Sequence, residues 1–197
     1  MLKVVGIVGY KDSGKTTLTR ALARELTSRG REVAVIKHTS HQLDLPGKDT
    51  AILGESVEQV AIVSSQESAL FWKRTQSLED MISYLEADII LVEGLKTEKS
   101  FPKIVCLRDE PDDRDLLDGL AICAVGPTSQ VAGTGVPLLG RDDVTGVADL
   151  VEQRAFKLPN LDCGDCGYER CYDLAREIVA GTSSVEDCVF WQSDGGG

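Results

Sequence analysis

Val4-Val5-Gly6-Ile7-Val8-Gly9-Tyr10-Lys11-Asp12-Ser13-Gly14-Lys15-Thr16-Thr17-Leu18 decides the fold of this chain. Val4 to Val8 is a short run, apolar throughout, and reads as a buried strand. Gly9 to Thr16 fits the pattern G-x-x-x-x-G-K-[ST]. Leu18, Ala21, Leu22 and Leu26 then repeat at helical spacing as far as Gly30, a residue suited to ending a helix. Strand, glycine loop and amphipathic helix in this order are the context in which the pattern carries chemistry. The glycines let backbone N–H groups turn inward around phosphates, and the helix start adds the positive end of its dipole. Gly9, Lys11, Asp12, Ser13, Gly14, Lys15, Thr16 and Thr17 are therefore the candidate phosphate-binding residues. Lys15 can reach the β- and γ-phosphates and is the first candidate catalytic group, while the Thr16 hydroxyl can join the shell of a magnesium ion.

Outward from this stretch the chain alternates between strand and helix signals. Val33–Ile36, Val60–Val63, Ala69–Trp72 and Ile89–Val92 read as strands, the middle two close enough to form a hairpin. Leu78, Met81, Ile82 and Leu85 give helical spacing, the runs holding Cys106 and Cys123 add two strands, and Val144 to Ala155 reads as a last helix. Strands that are apolar throughout need cover on both faces, which predicts a three-layer α/β domain with a mainly parallel sheet. Glu93 ends one of these strands and is the candidate acid on the metal side, holding Mg²⁺ directly or through water. Asp49, in Leu45-Pro46-Gly47-Lys48-Asp49-Thr50, is the second candidate catalytic residue. It is expected in the loop after the second strand, where a switch-type ligand or water-orienting group would sit. His38 and His41 read as loop residues, because no clustered partners accompany them.

Composition narrows the class. The chain has 197 residues, with 21 Lys plus Arg against 32 Asp plus Glu, a net charge of −11. Such a chain repels phosphate backbones, which argues against a general nucleic-acid binder. No apolar run approaches the ~20 residues that a membrane span requires. Met1-Leu2-Lys3-Val4-Val5 leads straight into a strand without a secretory pattern, so a cytoplasmic location is expected. Leu158-Pro159-Asn160 breaks the last helical pattern, and charge shifts there. Residues 158–197 carry 2 basic and 8 acidic side chains, against 19 and 24 in residues 1–157. The boundary is expected at that break, with Gly195-Gly196-Gly197 a frayed end.

Cysteines divide the same way. Cys106 and Cys123 lie in apolar runs and read as small buried hydrophobes. Cys163, Cys166, Cys171 and Cys188 follow the spacing C-x2-C-x4-C-x16-C. In a reducing compartment such a cluster reads as a metal site. Four thiolates match the ligand count of a [4Fe–4S] cluster. One close pair, one intermediate and one distant cysteine suit it better than zinc, the runner-up, whose sites usually present two close pairs. Gly164 and Gly167 let amides approach sulfur, and Leu174, Ala175 and Ile178 would face the cluster from a helix starting near Cys171.

Five stretches carry a family resemblance: Gly9 to Leu18, Ile36-Lys37-His38, Pro46-Gly47-Lys48-Asp49-Thr50, Leu91-Val92-Glu93-Gly94-Leu95-Lys96 and Phe101-Pro102-Lys103-Ile104. In order and spacing they resemble the molybdopterin-guanine dinucleotide biosynthesis adaptors of the MobB type, over about residues 1–155. The resemblance implies GTP binding, weak hydrolysis, dimer formation, and assistance to the guanylyltransferase that attaches GMP to molybdopterin, or to a molybdenum or tungsten apoenzyme. GTP rests on it alone, since no Asn-Lys-x-Asp stretch is present. The loop after the second strand is poorer in histidine than is usual in that family. Residues 158–190 resemble the small iron–sulfur domains of the corrinoid iron–sulfur protein and of Rnf-type subunits.

The expectation is a GTP-binding accessory protein of molybdenum-cofactor maturation with an iron–sulfur appendage, at most a weak GTPase. A nucleotide-switched electron-transfer or redox-sensing protein is the alternative, with a small-molecule kinase behind it. The apolar hairpin Val60–Val63 with Ala69–Trp72, which would otherwise invite aggregation at a sheet edge, joins the resemblance in pointing to a homodimer.

Overall fold

Lys3–Gly9 forms β1, whose residues from Val4 onward are all buried. Apolar side chains on both faces of a strand demand cover on both sides, and β1 takes the middle of the sheet accordingly. The computed structural model of the chain describes residues 2–41, 43, 47–127 and 131–191. They fall into two compact units, the first made of described residues up to His38 and from Glu86 onward, the second of those from Thr39 to Leu85.

The first unit is built on a six-stranded sheet, with β2 (Val33–Lys37), β5 (Ile89–Glu93), β1, β6 (Lys103–Cys106), β7 (Ala121–Val125) and β8 (Leu138–Leu139) in that order. Every pairing is parallel. Helices α1 (Lys15–Ser28) and α4 (Val144–Arg154) pack Leu18, Leu22, Leu26, Val147 and Val151 onto one face, against Val5, Ile7, Leu91 and Ile104. A 3₁₀ turn at Pro111–Leu116 helps to cover the other face, where Val8, Val105 and Leu107 meet Leu116 and Val131. Gly30, at φ +82°, ends α1 with its amide on the Thr27 carbonyl, as a left-handed residue after a helix should.

Residues 158–191 pack within this unit. The helix expected near Cys171 is α5 (Cys171–Ala180). Cys171, Leu174 and Ala175 of α5, with Cys188, share a core with Leu120, Phe156 and Leu158. Tyr172 donates its hydroxyl to the Asp118 carbonyl at 2.6 Å. The Gly195–Gly197 end and Leu45-Pro46 lie outside the described residues.

The second unit contains α2 (Asp49–Leu53), the antiparallel hairpin of β3 (Gln59–Val63) and β4 (Ser68–Trp72), and α3 (Leu78–Ser83). Asp49 thus opens a short helix and is not a loop residue. Ser77 and Asp80 close a reciprocal capping box on α3, and Trp72 stacks on Tyr84 with centroids 5.0 Å apart. Ile62, Val63 and Leu70 remain exposed on the hairpin.

Candidate functional site

In a parallel sheet all strands end at one edge, and loops leaving that edge converge on a common crevice. Here β1 ends in the glycine loop, β2 in Lys37, β5 in Glu93 and β6 in Cys106, followed by Arg108. The register pairs Ile7 and Lys37 with Glu93, and Gly9 with Cys106. This topology brings together residues that the sequence separates.

The loop is shaped by close approach. A Cβ on Gly9 would stand 2.3 Å from Ser13 Oγ and 2.8 Å from the Cys106 carbonyl oxygen, so only glycine fits. Asp12 and Gly14 adopt φ of +63° and +87°. Left-handed residues in alternation turn successive amides to one side, the arrangement that cradles anions. Ser13 is buried, and its Oγ has no hydrogen-bond partner among the described residues. An orphaned buried hydroxyl inside a ring of amides fits a phosphate oxygen. Lys15 donates from Nζ to the Tyr10 carbonyl at 2.6 Å. Arg141 clamps the outside of the loop, donating to the Ser13 carbonyl at 3.2 Å and to the Leu107 carbonyl at 2.7 Å.

Beside the loop, Thr16 Oγ1 donates to Glu93 Oε1 at 2.8 Å, and Lys37 Nζ donates to the same oxygen at 2.9 Å. Burial raises the Glu93 pKa, but these two hydrogen bonds and the Lys37 and Lys15 charges outweigh it and hold the carboxyl below its ordinary value. Glu93 is therefore ionised, with a hydroxyl and an ammonium on one oxygen. A carboxylate and a hydroxyl next to a phosphate loop are the hard oxygen donors that Mg²⁺ prefers, and the Lys37 ammonium shows that this position suits a cation. Thr16 and Glu93 thus fit the magnesium role expected of them. His38 extends the β2–β5 ladder with its amide on the Glu93 carbonyl at 2.9 Å, and His41 falls in the second unit with Asp49.

Lys37, Lys96, Arg108 and Arg141 were not among the sequence candidates. Lys37 and Lys96 lie within the family-like stretches, which was the available signal. Nothing local marks Arg108 or Arg141, whose approach to the loop depends on the sheet.

The second cluster surrounds α5. Cys163, Cys166, Cys171 and Cys188 all line one small cavity, which Leu161, Leu174 and Phe190 help to close. Of the three helix residues expected there, Leu174 lines it; Ala175 is buried in the core behind, and Ile178 lines a different cleft. Gly164 and Gly167 take φ of +79° and +87°, and the Gly167 amide closes the turn on the Gly164 carbonyl at 3.0 Å. Asp162 accepts from the Cys171 amide at 2.6 Å, which fixes the start of α5. All four thiols are free; Cys163 is exposed, while Cys171 and Cys188 are buried. Burial raises the Cys188 pKa, against hydrogen bonds from the Phe190 and Trp191 amides that lower it. Among the described residues no three Cys, His, Asp or Glu side chains close on one point as around a single ion. Four soft donors around one cavity, with amides on a sulfur, fit an iron–sulfur cluster. Cys106 and Cys123 sit apart in the sheet core, where burial pushes both thiols up to about 12.

A parallel α/β sheet whose first strand runs through this glycine loop into α1 defines the P-loop class. Residues 4–125 match the family model "Molybdopterin guanine dinucleotide synthesis protein B", and residues 158–190 match the one described as "Putative Fe-S cluster". The chain belongs to the MobB family, and the Fe-S match covers its cysteine-bearing segment. It is 31% identical to the "Putative molybdopterin-guanine dinucleotide biosynthesis adapter protein" of Methanocaldococcus jannaschii, over 96% of this chain and 77% of that protein. It is 33% identical to the molybdopterin-guanine dinucleotide biosynthesis adapter protein of Escherichia coli, over 77% of this chain and 92% of the relative. The crystal structure of Bacillus subtilis MobB superposes with a TM-score of 0.64 over 76% of this chain and 98% of its own, at 22% identity. No described helix is long and apolar enough to cross a membrane.

Proposed function

We propose that this protein binds GTP with Mg²⁺ as an accessory protein of molybdopterin guanine dinucleotide synthesis, hydrolyses it slowly at most, and carries a [4Fe–4S] cluster in its C-terminal module. The observation that carries the nucleotide reading is the buried, unpartnered Ser13 Oγ within the loop that presents Lys15 and Thr16. The loop amides and Ser13 would hold the phosphates, and Lys15 would leave the Tyr10 carbonyl to meet the β- and γ-oxygens. Magnesium, when bound, would supply charge neutralisation for the phosphates. Thr16 and Glu93 would hold it, with Lys37 giving up its contact with Glu93. Guanine, rather than adenine, is supported by family membership.

Lys15→Ala is expected to weaken GTP binding by roughly 10–100-fold, the equivalent of losing a charge-assisted contact worth about 1.5–3 kcal/mol, while leaving the melting temperature unchanged. Calorimetric titration measures this, and equal affinity in mutant and parent would remove the nucleotide assignment. Glu93→Gln should raise the Mg²⁺ concentration needed for half-maximal binding, since a neutral amide is a poorer ligand for a hard cation. An unchanged Mg²⁺ dependence would separate Glu93 from the metal. Asp49 keeps its proposed part in turnover, on its place in the family-like Pro-Gly-Lys-Asp stretch.

The partner follows from the same reading: the guanylyltransferase, or the molybdenum or tungsten apoenzyme that receives its product. A homodimer through the second unit is part of the proposal, because β3 and β4 expose Ile62, Val63 and Leu70 on an unpaired hairpin. Light scattering at micromolar concentration should give twice the chain mass; a monomer would remove it.

A further inference from the structure

Lys96 rests on an aromatic ring and not on a carboxylate. Its Nζ stands 3.7 Å from the centroid of the Tyr10 ring, and the Arg108 guanidinium lies 4.5 Å from the same centroid. Tyr10 belongs to the glycine loop, so both cations flank the loop that Lys15 closes. Desolvation, the Lys15 charge and the Arg108 charge all work against the Lys96 ammonium, and Asp112 is the carboxylate that opposes them. Asp112 is itself engaged, accepting from Arg108 at 2.6 Å, and Asp113 accepts from Arg108 at 3.0 Å. Arg108 is therefore neutralised in place, whereas Lys96 makes no ion pair among the described residues.

The chain spends conformational energy to put it there. Directly after Glu93, Gly94 and Leu95 take φ of +98° and +49°. A left-handed leucine is unusual, and such strain persists only where surrounding contacts over-determine it. Those contacts are present. The Gly94 amide donates to the Ile7 carbonyl at 3.0 Å. The Lys96 carbonyl accepts at 2.8 Å from Lys103 Nζ, a fully buried ammonium held in turn by Asp118 at 2.8 Å. A strained turn, anchored by a buried ion pair, thus holds over Tyr10 a cation that has no carboxylate of its own and feels the Lys15 and Arg108 charges. Like charges gathered in this way are stabilised by an anion between them.

We propose that Lys96 binds the terminal phosphate of the nucleoside triphosphate, as a cation supplied by the chain itself opposite Lys15. The proposal rests on the nucleotide reading above and assigns a role within that site. Lys96 meets charge that a diphosphate lacks, so it distinguishes triphosphate from diphosphate and contributes where charge gathers on the transferred group. Lys15, by contrast, serves both nucleotides.

The test compares GDP with the non-hydrolysable triphosphate GMPPNP, each with Mg²⁺, on the full chain and on Lys96→Met. The side chain is exposed, so the variant should melt with the parent. GMPPNP affinity is expected to fall about tenfold, and GDP affinity to change less than about twofold. Lys96→Gln should give the same split. Equal losses for both nucleotides would overturn the assignment, placing Lys96 on the inner phosphates or on the loop's shape. No loss for either would leave it a cation that only stacks on Tyr10. A parent protein that binds neither nucleotide would instead overturn the P-loop reading, and this inference with it.

Discussion

Protein prepared without oxygen is expected to hold about four irons and four sulfides per chain, and Cys163→Ser, Cys166→Ser, Cys171→Ser or Cys188→Ser each to abolish that content. Cys106→Ser and Cys123→Ser should retain it. The contrast follows from placement. The first four thiols line one cavity, whereas Cys106 and Cys123 lie in the sheet core with thiols pushed up to about 12 by burial. A thiol enclosed in the sheet core, away from that cavity, has no cluster within reach to ligate. The four also differ among themselves. Cys171 and Cys188 are core residues packed with Leu158 and Leu174, so replacing either with serine also buries a hydroxyl, at a cost of about 1–3 kcal/mol. Cys163 is exposed and should lose iron with little loss of fold. Iron and sulfide assay, with electron paramagnetic resonance of the reduced form, measures the first effect, and urea unfolding of the metal-free proteins measures the second. One tightly held zinc per chain and no iron uptake would replace the cluster with a structural zinc site.

Asp118→Ala is expected to cost about 3–5 kcal/mol of stability at neutral pH, because it strips the counter-charge from a buried ammonium. Lys103 is 1% exposed, and its Nζ reaches Asp118 Oδ2 and the Lys96 carbonyl, both at 2.8 Å. Lys99 donates to the same Asp118 oxygen, and the Leu120 amide reaches Oδ1 at 3.2 Å. Burial raises the Asp118 pKa, but the Lys103 and Lys99 hydrogen bonds outweigh it and hold the carboxyl below its ordinary 3.8. A depressed carboxylate contributes stability that is present above its unfolded value and lost as pH falls through its folded value. The parent should therefore lose this contribution in acid, below about pH 4. For Lys103 the sign is opposite. Burial lowers its pKa, which Asp118 partly restores, so in Asp118→Ala the folded state gains from losing the proton, and part of the lost stability should return as pH rises towards 10. Urea unfolding across pH measures both limbs. Lys103→Met with Asp118→Leu should come closer to the parent than Asp118→Ala does, since a packed apolar pair leaves no charge unpaired. A single mutant within about 1 kcal/mol of the parent at pH 7 would show that water reaches the ammonium.

The fold and the two chemical clusters were legible in the sequence because each rests on contiguous or closely spaced residues. Val4 to Thr16 carries its own strand, loop and helix start, and needs no distant partner to be read. The cysteine spacing works the same way, with Gly164 and Gly167 marking the turns and Leu174 the helix face. Hydrophobic runs likewise announced the parallel sheet, since period and burial are local properties of a strand. Asp49 shows where such reading fails. Pro-Gly with flanking charges signals a turn, yet Asp49 opens a helix within a separate unit that interrupts the first between His38 and Glu86.

The environment of the loop was decided by tertiary structure. Parallel register carried Lys37, Glu93 and Arg108 to one sheet edge, although 71 positions separate the first from the last. Arg141 clamps the Ser13 carbonyl from 128 residues away. Lys103 sits in a short apolar strand and is buried because Asp118 returns to meet it and the Lys96 carbonyl shares the load. Hydrophobic spacing states which faces must be covered, since apolar burial follows area and is indifferent to direction. A charge has one set of acceptable neighbours at one set of distances, and those neighbours exist only once the strands have paired.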